Sequence, residues 1–134
     1  MDYKDFVDRV RRQGSLGTDD EAERVTAAVL ETLGERIRRT EKENLGAQLP
    51  KELRKHLLKR LDMEPFDLEE FYNRVSSRAD VGYPTAVELS RIIMGVLQSA
   101  VSEGELKDML SQLPENFREL FGKEPEGPLS PTSG

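Results

Sequence analysis

His56 is the only histidine of the chain, and it lies in the stretch QLPKELRKHLL (Gln48–Leu58). As a general base it would need a nucleophile or substrate in reach and a partner to orient its ring. As a metal ligand it would need companions, yet its neighbours at helical spacing are Glu52, Lys59 and Arg60. His56 therefore reads as a partly exposed helix residue. The absence of Cys removes disulfides, thiolate chemistry and the commonest zinc sites. Carboxylates are plentiful, but none is paired at a spacing that indicates acid–base work or a calcium loop. No cofactor and no catalytic residue is expected.

Basic residues offer a second chemistry. Arg36, Arg38, Arg39 and Lys42 cluster at one point, and Lys51, Arg54, Lys55, Lys59 and Arg60 follow. Residues 1–61 hold 14 Lys/Arg against 12 Asp/Glu, whereas residues 62–134 hold 6 against 14. The net charge of −6 argues against general polyanion binding, while the uneven split leaves room for a local basic face on the first half. Cations near a helix C-terminus also complement its dipole, and Glu35, Glu41, Glu43 and Glu52 dilute the positive field. Nucleic acid is therefore not the expected partner. Head-to-tail self-association of unlike halves stays open.

The arginines gain interest from repetition. QLPKELRKHLL has a near-echo in QLPENFRELFG (Gln112–Gly122), and DFVDRV (Asp5–Val10) matches EFYNRV (Glu70–Val75). The offset is 65 residues at first, pairing Phe6 with Phe71, Arg9 with Arg74 and Val10 with Val75. It then becomes 64, pairing Ala22 with Ala86, Val29 with Ile93, Leu33 with Leu97, Glu41 with Glu105 and Arg54 with Arg118. The matches fall mainly on apolar positions at helical spacing, as two copies of one packing unit require. Arg9, Arg74, Arg54 and Arg118 are thus polar residues held in both copies. They either brace the fold, for example by capping carbonyls or pairing with Glu41 and Glu105, or frame two equivalent binding sites.

The elements that would position them all read as helix. Asp2 and Asp67 stand at N-caps of helices over about 3–13 and 68–78; TDDE (Thr18–Glu21) and Ser102 with Glu105 are capping boxes. The second helix carries Ala22, Val25, Val29, Leu33 and Ile37 on one stripe. Its copy, near 84–101, is apolar on most of its surface and is expected to be the most buried helix. Short third helices are expected near 41–48 and 105–112. Proline disfavours the α conformation in the residue before it and suits the first position of a helix. Leu49-Pro50 and Leu113-Pro114 should therefore form a corner between third and fourth helices, with both leucines pointing inward.

The doubled pattern FxxRV … A … VL … L … QLPxxLR resembles the domain-of-unknown-function family numbered 2267, small helical proteins of bacteria and archaea. The likeness covers about residues 2–122, with Asn116 and Phe117 departing from Glu52 and Leu53 of the first copy. It implies an all-α fold and brings no established activity or catalytic residue with it.

The expectation is an all-α helical bundle made of two tandem copies of a four-helix unit related by a pseudo-twofold axis. Copy one spans 1–61 and copy two 66–122, sharing one core in a single domain over 1–122. A disordered tail over 123–134 is expected from GKEPEGPLSPTSG (Gly122–Gly134), whose PLSP is formally a PxxP. The charged start of the chain and the lack of a long apolar run suggest a cytoplasmic protein without a membrane segment, and the resemblance implies a prokaryotic one. The functional expectation is a non-enzymatic protein-interaction or scaffolding domain, docking in the groove between copies or on the apolar face of the fourth helices. The alternatives are a small anionic ligand held between the copies and weak nucleic-acid binding by the basic face of copy one.

Overall fold

Helix starts follow the capping chemistry of the sequence. A computed structural model describes residues 1–122; the tail expected at 123–134, with its PxxP, lies outside the described residues. Helix α1 (Tyr3–Gln13) begins where Asp2 accepts the Asp5 N–H at 2.8 Å. Helix α2 (Asp19–Arg36) begins where Thr18 Oγ1 accepts the Glu21 N–H at 3.1 Å, while the Glu21 carboxylate reaches back to the Gly17 N–H at 3.2 Å. Helices α3 (Arg39–Gly46) and α4 (Lys51–Leu57) complete the first half. Helix α5 (Leu68–Ala79) starts on Asp67, which accepts the Glu70 N–H at 2.9 Å. Helices α6 (Tyr83–Ala100) and α7 (Glu103–Leu110) and a 3₁₀ helix over Glu115–Phe121 follow. Among the described residues there is no strand, and no helix is long and apolar enough to cross a membrane.

The buried side chains form one contiguous cluster drawing on every one of these elements. Helix α1 packs on α2 and α5 on α6, while α2 also meets α5 and α6 also meets α1. Phe71 lies at its centre, edge-on to both Phe117 (6.0 Å between ring centroids) and Tyr72 (6.1 Å), a favoured aromatic geometry. Leu49 and Leu113 are both buried.

Four expectations need correction. The third helices start two residues early, at Arg39 and Glu103, because Arg38 and Ser102 are themselves the extended N-cap residues. Pro50 and Pro114 are also caps, at ψ near 150°, so each helix begins one residue later than a first-turn proline would give.

The fourth element of the second half is 3₁₀ rather than α. Two glycines explain the difference. A Cβ on Gly34 would fall 2.0 Å from the Leu57 carbonyl oxygen, and one on Gly46 would fall 3.0 Å from Arg54 Cγ. Bare backbone at both places lets α4 settle onto α2 and α3. The positions 64 residues on hold Gln98 and Leu110, so neither offers the bare backbone that such a close approach requires.

The most buried helix is α2 and not α6: eleven of its eighteen residues are buried, against seven of eighteen. Hydropathy misses this because α2 buries Thr32, Glu35 and Arg36 against polar partners, while Val87, Ile92 and Ala100 of α6 stay partly open.

Candidate functional site

The four arginines held in both halves have separate fates. Arg74 on α5 contacts three carboxylates, Glu35 at 2.9 Å, Glu64 at 3.0 Å and Glu70 at 2.8 Å. Its guanidinium also lies 4.1 Å from the Phe66 ring centroid, a cation–π contact. Arg78, one turn on, reaches the same Glu35 oxygen at 2.9 Å and donates to Thr32 Oγ1 at 3.0 Å. Burial alone would raise the Glu35 carboxyl, but the guanidinium donors of Arg78 and Arg74 outweigh it and hold that group below the ordinary range. Glu35 thus clamps α2 to α5. Arg9 sits in the matching place on α1 but is exposed, and the position 64 residues after Glu35 is Ser99. Without that carboxylate the clamp is not repeated.

Arg54 lies over the first corner. Its Nε donates to the Gly46 carbonyl and its Nη2 to the Leu49 carbonyl, both at 2.9 Å. It thereby satisfies acceptors freed where α3 ends, the usual need of a helix C-terminus. Gly46 makes room for its stem. Leu110 stands at the corresponding position in the second half, and the Arg118 side chain makes no hydrogen bond or ion pair among the described residues. Neither Arg54 nor Arg118 pairs with Glu41 or Glu105, as had been one expectation.

The basic face is also divided. Arg36 is only 7% exposed; its Nε donates to the Phe66 carbonyl at 2.7 Å, and its guanidinium lies 5.3 Å from the Phe117 centroid. Lys42 is fully buried and donates to the Arg60 and Leu61 carbonyls. Burial pushes its ammonium pKa down, with Asp62 opposing. These two cations pin the junction between the halves, helped by a Glu64 N–H donated to the Glu35 carbonyl at 2.8 Å. Lys59 and Arg60 approach Glu31 at 3.4 Å and 3.7 Å, and His56 Nδ1 lies 4.0 Å from the same carboxylate. Burial, then the nearby Lys55, keep the imidazole pKa below its usual value. The apolar side of the fourth elements (Leu53, Leu57, Phe117, Leu120) is buried in the core, so it offers no docking face.

A feature that the sequence reading left without a role is the glutamine of each QLP phrase. Gln48, just past α3, accepts the Ser102 N–H at 2.7 Å and donates to Ser102 Oγ at 3.3 Å. Gln112, just past α7, accepts the Arg38 N–H at 3.2 Å and donates to Glu41 Oε1 at 2.7 Å. Each glutamine therefore caps the start of the other half's third helix. Within the Ser102 box, Ser102 Oγ accepts the Glu105 N–H at 3.2 Å, but the return bond comes from Gln48 instead of Glu105. Repetition of Gln48 and Gln112 was the available signal; it gave no hint that the contacts cross over.

Two open depressions lie on α1. Arg9, Arg12 and Gln13 line one of about 420 Å³; Tyr3, Lys4, Asp5, Val7, Asp8, Asp19 and Glu23 line another of about 550 Å³. In the second, Tyr3 donates to Glu23 at 2.9 Å, and burial together with that carboxylate pushes its phenol up to about 12. Among the described residues no three His, Cys, Asp or Glu side chains gather as a metal site.

With this geometry in place, the family described as "Uncharacterized conserved protein (DUF2267)" matches residues 3–120. The chain belongs to this family. Its match runs from the first residue of α1 almost to the end of the 3₁₀ helix, so the crossed glutamine caps and the Glu35 clamp both lie inside it. No curated protein matches the chain.

Proposed function

We propose that this chain is a non-enzymatic helical interaction or scaffolding domain, acting in a prokaryotic cytoplasm. The observation that carries this reading is the fate of Arg54 and Arg74. Each is supplied with internal acceptors, two carbonyls for one and three carboxylates for the other, so neither guanidinium is left to hold a substrate anion. Groups able to do chemistry instead fix the relative positions of helices, which is what a rigid presenting surface needs.

The same proposal treats residues 1–61 and 66–122 as two tandem four-helix copies about a pseudo-twofold axis, forming one domain over 1–122. Supporting it are the paired lengths, with α2 and α6 both of eighteen residues and α3 and α7 both of eight. Contacts of α2 with α6 and of α3 with α7 are also those expected of elements nearest such an axis.

With the fourth elements buried, the surface assigned to a partner is the acidic α1–α2 depression, where exposed Asp5, with Asp19 that also pairs with Arg11 at 3.1 Å, suits a basic protein segment. Affinity capture from the native cell with the wild-type chain and an Asp5→Lys/Asp19→Lys variant tests this. A protein retained by the wild type and lost with the variant is the expected result; equal retention by both places the surface elsewhere.

A second reading rests on the Arg9, Arg12 and Gln13 depression, which fits a small anion. Thermal stabilisation by an anionic metabolite that Arg9→Ala abolishes would favour it and overturn the scaffold. Nucleic-acid binding by copy one has fewer accessible cations to draw on, given burial of Arg36 and Lys42.

A further inference from the structure

The contact between α3 and α7 brings two carboxyl groups together. Glu41 of α3 is the carboxylate that acts on Glu105 of α7 across it, and Glu105 is only 8% exposed. Glu105 Oε2 has no donor among the described residues. The one side-chain amide at hand, Gln112 Nε2, is already committed to Glu41 Oε1. Nearby cations are directed elsewhere: Arg38 to Gln112, Arg39 to Glu43, and Lys42 to the Arg60 and Leu61 carbonyls. Lys107 of α7 and Arg118 of the 3₁₀ helix make no ion pair among the described residues; of the acids on the 3₁₀ helix, Glu115 is exposed and Glu119 pairs with Arg91. Asp108, on the same helix as Glu105, adds charge of the same sign. Two carboxyls in such a place cannot both ionise without repulsion.

We propose that Glu41 and Glu105 form a proton-operated latch between the two halves, closed while they share one proton and loosened when both are ionised. Burial first, and then Glu41, push the Glu105 carboxyl well above the ordinary carboxyl range, which moves the transition toward neutral pH. The folded chain holds this proton where the unfolded chain has released it. Its stabilising effect is full below the ordinary carboxyl range, declines as pH rises and is gone once pH passes the folded value. The glutamine caps flank this pair, so loosening it frees the ends of α3 and α7 together. The inference stands apart from the identity of any partner.

The absence of Cys makes the test direct. Spin labels at Asn44→Cys on α3 and Ser111→Cys beside α7, both exposed neutral positions, report the distance across the contact. The distribution should broaden and lengthen between about pH 5.5 and about pH 8.5. In labelled chains carrying Glu105→Gln or Glu41→Gln it should stay narrow at both. An unchanged distance in the labelled parent, or the same response in the glutamine variants, overturns the latch. Carbon-13 titration of the Glu105 side chain in the otherwise native chain gives an independent reading. A midpoint in the neutral range supports the latch, and one in the ordinary carboxyl range sinks it whether or not the variants fold.

Discussion

Gly34 faces the carbonyl of Leu57 so closely that even a methyl group would fall 2.0 Å from the oxygen. The obstacle is backbone, so it cannot swing aside as a side chain would. Gly34→Ala should destabilise the fold by about 1–3 kcal/mol or more, an overpacking cost. Gly95, inside α6, has open space where its Cβ would go. Gly95→Ala should stabilise by about 0.5–1 kcal/mol through helix propensity alone. Urea melts of both variants check the pair, and a Gly34→Ala chain as stable as the parent would show that α4 does not sit on α2 as described. The arginines teach the same lesson at this scale. Arg9 and Arg74 look equivalent in the sequence, but Glu35 answers one and Ser99 the other. A residue's role is set by what faces it.

Among elements, local signals were legible and distant ones were not. The N-caps at Asp2, Thr18, Asp67 and Ser102 bond within three residues of themselves, so spacing alone revealed them. Both QLP corners were legible for the same reason. Arg36 and Lys42 looked like a solvated basic face because their acceptors are carbonyls 30 and 18 residues away, which no local pattern displays. The choice of α6 as the central helix failed similarly: α2 hides charged groups whose partners come from α5 and the junction. The crossed glutamine caps give this scale its prediction. Gln48→Ala and Gln112→Ala should each cost about 0.5–2 kcal/mol, the range for losing a helix cap. Amide exchange should then quicken at the far helix: Ser102 and the first turn of α7 for Gln48→Ala, Arg38 and the first turn of α3 for Gln112→Ala. Faster exchange confined to the mutated half would mean that the caps do not cross in solution.

For the molecule as a whole, the family match spans residues 3–120 and so takes in all eight helices of the described residues, the last of them to within one residue of its end. All-helical architecture was legible because every apolar run keeps a helical period and nothing alternates as a strand would. The electrostatic asymmetry, +2 over residues 1–61 and −8 over 62–134, is not cancelled by the ion pairs between them. Arg74 and Arg78 of the acidic half pair with Glu35 of the basic one, so the halves exchange charge across their boundary. The buried ammonium of Lys42 has a consequence for labelling chemistry. Lys4, Lys51, Lys55, Lys59 and Lys107 are exposed, and an amine-reactive ester should modify them at once in the native chain. Lys42 can react only after the Arg60 and Leu61 carbonyls let it go, at least about tenfold more slowly if opening follows ordinary local unfolding. Followed by mass spectrometry, its acylation becomes a clock built into the junction, timing how often the end of the first half lifts from α3.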